Sequence, residues 1–452
     1  MKTNNIEVSS RDNFGSRFGV LVAMAGSAIG LGNLWRFPYL MGENGGAAFI
    51  IIYLVFVFVL CLPIMFSEFI LGRRSQSNVF GAFRVLAPGS KWGIIGIFGV
   101  LASICILSFY SVVGGWSIEY LVKAVLFDFT RAGSEANHAT MFSDFVSSPV
   151  KPLLYHLAFM ALTAFVVLAG IKKGIEKYTK MMMPMLFVMV IIIAIRSLTL
   201  EGAGAGVSYM FKPDFSKVTS GTFLAALGQA FFSLSLGCGT IMTYGSYVSK
   251  DENIMKCSAY TSIADTLFAI IAGCAIMPAV FAFGISPGEG PGLVFITLPR
   301  IFASLPLGGV IAILFFVTLL LAALTSSISL LEVFVSYLIE EFKMKRGGAV
   351  AIAFGIILLL GCFCSLSQGA MSGVKLFGMN IFDLFDYVSS NVLMPIGGLL
   401  IVIFVGWRLG KTAAFDELTN HGTLKIPQWL LETVFFIIRF VAPVTIAVIM
   451  IF

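Results

Sequence analysis

A chain of 452 residues has room for about three soluble domains of roughly 150 residues each. Its composition is of another kind: 58% of the residues are apolar and only 12% charged, about half the ~25% charged share of soluble domains. This excludes a soluble multidomain enzyme, a disordered chain, a coiled coil and a secreted disulfide scaffold, and it describes an all-α polytopic membrane protein. Long apolar runs predict eleven spans, at residues 17–40, 47–71, 93–127, 152–170, 175–196, 222–247, 258–284, 307–341, 347–366, 381–408 and 429–451. Each is helical rather than a barrel strand, because a tilted strand needs only about 9–11 residues. The seven cysteines are scattered through these runs without zinc-site spacing and read as small buried hydrophobes.

The net charge of +6 orients the chain rather than binding nucleic acid. With the N-terminus inside, nineteen Lys and Arg fall in or near cytoplasmic connectors and nine near outer ones. That bias is the positive-inside rule. It places the N-terminus in the cytoplasm of a cell-membrane protein and, after eleven spans, the C-terminus outside. Three regions are expected: a cytoplasmic N-terminal segment over 1–16, a core over 17–408, and a cytoplasmic loop with the last helix over 409–452.

The first span is interrupted at Ala25-Gly26-Ser27-Ala28-Ile29-Gly30-Leu31-Gly32-Asn33, and the sixth at Phe231-Phe232-Ser233-Leu234-Ser235-Leu236-Gly237-Cys238-Gly239. Each glycine costs about 1 kcal/mol in a helix interior relative to Ala, so clustered glycines beside Ser and Asn predict unwound backbone. Either stretch alone is equally a small-residue packing face. The pair points further, because spans 1 and 6 open two five-helix halves, and breaks at corresponding positions are the sequence signature of a transporter site between inverted repeats. Carbonyls freed at a break suit an alkali cation, and the amides of a half-helix N-terminus suit a carboxylate. An amino acid with a cation satisfies both.

Polar residues inside other spans extend this reading. Ala322, Thr325 and Ser326 share one face of span 8. Asp265 lies in span 7, with Glu68 and Glu332 in spans 2 and 8. Carboxylates at membrane depth are costly and functional by default. Asp265 is expected in the site, and Glu68 and Glu332 are expected to support the unwound segments.

The stretch Arg17-Phe-Gly through Gly30-Leu-Gly-Asn-Leu-Trp-Arg-Phe-Pro38, with Glu43-Asn-Gly-Gly-Ala-Ala-Phe49, Gln229-Ala-Phe-Phe-Ser-Leu-Ser-Leu-Gly237, Phe295-Ile-Thr-Leu-Pro299 and Leu324-Thr-Ser-Ser327, resembles the neurotransmitter:sodium symporter family. The resemblance covers almost the whole chain. It is nearest the eleven-helix bacterial branch, similar to multi-hydrophobic amino acid transporters. It implies the leucine-transporter fold, a 5+5 inverted repeat plus one extra helix, and Na⁺-coupled symport of hydrophobic and aromatic amino acids by alternating access.

The resemblance also implies site residues. One sodium site uses the Ala28 carbonyl, Asn33, Ser233 and Asp265. A second uses carbonyls of Gly26, Ile29 and Ala322 with hydroxyls of Thr325 and Ser326. The substrate carboxylate meets the amides of Leu31 and Gly32 and the Tyr110 hydroxyl. Its amine meets carbonyls of Ala28, Phe232 and Ser233 and the Ser235 side chain. Ile106, Phe232, Cys238, Ser326 and Leu330 line the side-chain pocket. Phe232 and Tyr110 close over the substrate, Arg36 with Asp386 forms the outer gate, and Arg11 with Glu340, supported by Tyr247 and plugged by Phe14, forms the inner one. Gly174 and Pro184 mark a segment of span 5 that unwinds. Asp265 supplies covalently the negative charge for which many animal members require chloride, so chloride independence is expected. Proton coupling through Asp265 or Glu68, and a substrate-gated channel or receptor, are the alternatives. A membrane enzyme is disfavoured, because no nucleophile elbow, metal-ligand set or His-carboxylate motif occurs.

Overall fold

The computed structural model describes residues 14–130, 138–287, 294–303 and 305–451. Among these the secondary structure is helical, apart from one isolated bridge between Leu376 and Met379. Helices follow from the apolar runs, because a helix satisfies its own backbone within one segment where no water is present to do so.

Among the described residues, nine helices are long and apolar enough to cross a membrane: Ala47–Ser75 (α3), Lys91–Val125 (α4), Lys151–Leu168 (α5), Ile171–Leu198 (α6), Ile254–Ala282 (α9), Gly308–Phe342 (α10), Arg346–Leu366 (α11), Ile381–Leu409 (α12) and Gln428–Ile451 (α13). A tenth is formed if Arg17–Ala28 (α1) and Gly32–Glu43 (α2), bent by 42° at their junction, count as one span. The expected sixth span is two shorter helices, Ser220–Ser233 (α7) and Thr240–Gly245 (α8), separated by six non-helical residues. Neither piece is long enough to cross by itself.

Local chemistry sets the helix ends. The Ser16 hydroxyl accepts the Gly19 amide at 3.0 Å and starts α1. Thr219 and Thr222 form a reciprocal capping box at the start of α7. At the first break Ile29 leaves the helix with ψ 106°. At the second, Ser235, Gly237 and Gly239 all have positive φ. Gly237 has no alternative: its φ is +75°, and a Cβ there would run into the Met394 carbonyl of α12.

The 35-residue helices α10 and α4 pack along each other, while α9 packs along α6 and α1. The broken segments are thus walled in by continuous helices, and both breaks are buried.

Candidate functional site

The two breaks face each other and share hydrogen bonds. The Ser27 carbonyl, in the last turn of α1, accepts the Ser235 hydroxyl from the second break at 3.0 Å and the Ser326 hydroxyl from α10 at 3.1 Å. Beside it the Thr325 hydroxyl lies 3.2 Å from the Ile29 carbonyl and 3.0 Å from the Ala322 carbonyl. Ile29, Ala322, Thr325 and Ser326 are therefore brought together as a group of oxygens. Gly26 lies on the α6 side of α1, where a Cβ would meet Thr179 and Met183.

A second polar cluster surrounds Asp265, which is fully buried on α9. The Asn33 amide donates to its Oδ1 at 2.8 Å, the Ser233 hydroxyl reaches both carboxylate oxygens at 2.8–2.9 Å, and the Tyr53 hydroxyl lies 3.3 Å from Oδ2. Asn33 also donates to the Ser233 hydroxyl at 3.2 Å. All of these donors are neutral, and among the described residues no cationic side chain pairs with Asp265.

Between the clusters lies a small cavity lined by residues of both breaks, α4, α10 and α12. Of the residues expected to touch substrate, Ala28, Gly32, Ile106, Tyr110, Phe232, Ser235, Cys238, Ser326 and Leu330 line it. Leu31 and Ser233 sit just outside. The Leu31 amide points to the Tyr110 hydroxyl at 3.0 Å. Ser27, Gly30 and Met394 line the cavity and were not expected there. Gly30 is held to glycine by close approach, since a Cβ would stand 2.8 Å from the Tyr110 hydroxyl oxygen and would meet the Ser326 hydroxyl.

Above Phe232, which is nearly closed off from solvent, the Arg36 guanidinium lies 5.1 Å from the ring centroid, a cation–π distance. Arg36 is 3.8 Å from the Asp386 carboxylate, which also accepts the Ser390 hydroxyl at 2.9 Å. Gln229 joins this pair to the first break: its carbonyl accepts from Arg36 at 3.0 Å, and its amide donates to the Gly32 carbonyl at 2.9 Å. Gln229 and Tyr53 are partners that spacing rules do not reveal. Each sits in an apolar run, and only the fold brings its polar atom to the site.

The end of the bundle where α1 begins is organised by ions. Arg11 lies outside the described residues. Glu340 accepts from the Asn78 backbone at 2.7 Å and from its side chain at 3.0 Å. Tyr247 donates to Glu332 at 2.8 Å. Glu332 is also held by the Arg346 guanidinium, one Arg346–Glu332 contact measuring 3.2 Å. Glu332 therefore locks α10 to α11 and to the chain just past α8. Glu68 reaches the unwound residues, accepting the Gly237 amide at 2.6 Å. Phe14 packs edge-on against Tyr244 and Tyr247. Gly174 lies in a π-helical turn, Ile171–Glu176, at the start of α6, and Pro184 lies inside that helix. The Glu176 carboxylate accepts the Gly15 amide at 2.6 Å, the Ser16 hydroxyl at 2.9 Å and Lys180 at 2.6 Å. Arg73 is buried against Glu417 at 2.8 Å, with further bonds to the Glu252 carbonyl and Asn420. Asp416, Glu417 and His421 lie close enough to hold a metal, but Arg73 and Arg74 already neutralise the two carboxylates.

A helical bundle with two buried breaks enclosing a small polar-and-apolar cavity is the architecture of a secondary transporter. The family model described as "Sodium:neurotransmitter symporter family" matches residues 11–147 and 142–452. The chain belongs to that family, and is an integral membrane transporter rather than an enzyme. An uncharacterized sodium-dependent transporter of Bacillus subtilis, YhdH, is 42% identical over 434 residues, spanning 96% of each chain. An uncharacterized sodium-dependent transporter of Haemophilus influenzae is 38% identical across 100% of this chain and 99% of its own length. The crystal structure of MhsT in complex with L-phenylalanine matches with a TM-score of 0.93 at 44% identity, covering 98% of this chain and 99% of that one.

Proposed function

We propose that this protein is a Na⁺-coupled symporter of hydrophobic and aromatic L-amino acids, working by alternating access without chloride. The observation that carries the proposal is the Asp265 cluster: a buried carboxylate satisfied only by the neutral donors Asn33, Ser233 and Tyr53, beside a cavity lined by residues of both breaks. A buried charge without a protein partner is costly. A sodium ion supplies the missing charge, and a substrate carboxylate adds one more oxygen to the ion. Binding of the two is then mutually dependent.

The second ion is assigned to Gly26, Ile29, Ala322, Thr325 and Ser326, whose carbonyls and hydroxyls form an uncharged oxygen set. The sodium-dependent names of the relatives and the L-phenylalanine bound to MhsT support the choice of ion and substrate. Ile106, Leu330 and Met394 give the cavity an apolar wall, and Cys238 between two glycines leaves room for a ring. In this reading α7 and α8 form one interrupted span, and with α1–α2 the spans number eleven. The first ten form two inverted halves, with the N-terminus inside and the C-terminus outside. Arg36 and Asp386 close the outer path over Phe232, and Phe14 closes the inner one. The driving force suffices: one inward charge at 100 mV gives about 2.3 kcal/mol and a tenfold gradient about 1.4, so two ions support accumulation on the order of 10⁵-fold.

The test is binding of the twenty amino acids to purified protein in sodium and in choline. Leucine and aromatic substrates are expected to bind only in sodium, equally well in chloride and gluconate. Unchanged uptake in choline overturns sodium coupling in favour of protons. Collapse in gluconate overturns chloride independence. Lack of counterflow places the chain among channels.

A further inference from the structure

Arg439 stands within the last membrane-crossing helix, α13, eleven positions after its first residue, Gln428. Its guanidinium lies 4.4 Å from the Trp407 ring centroid and 5.3 Å from that of Phe440. The Trp407 indole N–H donates to the Arg439 carbonyl at 3.2 Å. Both residues belong to π-helical turns, Phe404–Leu409 of α12 and Ile437–Val441 of α13. The turns are pressed together, since a Cβ on Gly406 would stand 2.9 Å from the Arg439 Cα. The two rings hold the cation without neutralising it. Among the described residues no carboxylate pairs with Arg439, and its buried Nε has no hydrogen-bond partner. Glu432, the acid of this helix, is already taken by Lys411 at 2.5 Å. An unanswered charge in a spanning helix is costly and marks a functional contact.

The surface around Arg439 says what answers it. Phe436, Phe440, Val444 and Val448 recur every four residues, so they share one face of α13, and each is 43–62% exposed. On a helix that crosses the bilayer, such an apolar outer face meets acyl chains. Trp407 is more than half exposed as well, and it lies two residues before α12 ends at Leu409. That is the level at which aromatic belts sit. The guanidinium therefore reaches the headgroup zone from a Cα set deeper in its own helix. A phosphate joined to acyl chains offers acceptor oxygens to the guanidinium fork and hydrocarbon to the apolar face. A second copy docked on this face by a two-fold axis brings only the same arginine and the same apolar stripe, with no acid.

We propose that Arg439, framed by Trp407 and Phe440, binds the phosphate of an anionic bilayer lipid whose chains lie along Phe436, Phe440, Val444 and Val448. Phosphatidylglycerol fits better than phosphatidylcholine, whose own ammonium already balances its phosphate. The bound lipid bridges α12, which carries Asp386, and α13, and so fastens the last helix to the transporter core.

The test is native mass spectrometry of the full chain in detergent, titrated with phosphatidylglycerol or phosphatidylcholine. One saturable phosphatidylglycerol adduct is expected, bound about tenfold more tightly than phosphatidylcholine, the size of one charge-assisted contact. Arg439→Gln is expected to remove that preference. Arg439→Lys is expected to keep part of it, because the ammonium retains the charge but not the planar fork. Sodium-dependent leucine binding, or an unshifted melting curve, shows that the variants are folded. If Arg439→Gln does not fold, Arg439→Lys and the comparison of the two lipids on the wild type decide. Equal affinity of the wild type for both lipids, a preference undiminished in the variants, or loss of the adduct to inorganic phosphate overturns the proposal. A lipid-free dimer that Arg439→Gln dissociates also overturns it and assigns the face to a second copy. None of these residues lines the amino-acid cavity, so failure here leaves the amino-acid reading standing.

Discussion

The middle of the molecule and the end where α1 begins handle buried charge in opposite ways. At that end the carboxylates meet cations of the chain itself: Glu332 with Arg346, Glu417 with Arg73, and Glu176 with Lys180. In the middle, Asp265 meets only amide and hydroxyl donors. A charge neutralised by the chain is a fixed fastening. A charge left to neutral donors is one the protein completes with something from solution. The same residue type thus serves as a lock in one region and as a receptor in the other, and only the partners tell them apart.

Four substitutions probe that contrast, in descending size. Glu417→Ala leaves Arg73 buried without its carboxylate, and removing one partner of a buried pair costs about 3–5 kcal/mol. A large drop in thermal stability in detergent is expected at any sodium concentration. Asp265→Asn leaves the neutral donors in place and removes the charge. Sodium-stimulated leucine binding is expected to fall about 10²-fold, or ~2.8 kcal/mol, while the melting temperature measured without sodium stays near that of wild type. A sodium-independent loss of stability as large as that of Glu417→Ala would make Asp265 a lock too. Gly30→Ala places a methyl group against Tyr110 and Ser326; overpacking of this kind costs about 1–3 kcal/mol. Roughly tenfold weaker substrate binding is expected by scintillation proximity. Arg84→Gln breaks a pair with Glu341 whose arginine is 59% exposed. Such surface pairs contribute ~1 kcal/mol or less, so neither melting nor binding is expected to move measurably. A clear loss would show that exposed and buried pairs are not separable here.

Much of this was legible in the sequence because it is local. Apolar run lengths give helices such as α10 and α11 to within a residue or two, and clustered glycines mark both breaks. The family motifs bring most cavity-lining positions with them. What the sequence did not disclose are meetings between distant segments. Tyr53 lies in an unbroken apolar run, and nothing near it signals that its hydroxyl reaches Asp265. Gln229 becomes a link between Arg36 and Gly32 only once α7 lies against α2. Met394 lines the cavity because its backbone docks on Gly237, a fit set by the positive φ of that glycine. Glu332 also fastens α11, because Arg346, fourteen residues further on, turns back onto it. Short helices that cap the bundle, such as Val79–Leu86 and Lys411–Leu418, carry too few residues for a periodic signal.

The Arg73–Glu417 contact also bears on how the protein is made. The two residues are 344 positions apart in the chain, and a ribosome adds about 5–20 residues per second. For roughly 20–70 s after Arg73 emerges, the carboxylate that neutralises it has not been synthesised. During that interval α3 carries an unanswered cation at its end, which keeps that end at the headgroups and resists its sliding into the bilayer. The last stretch of the chain then closes the contact, so a protein truncated before residue 417 leaves Arg73 without the Glu417 carboxylate.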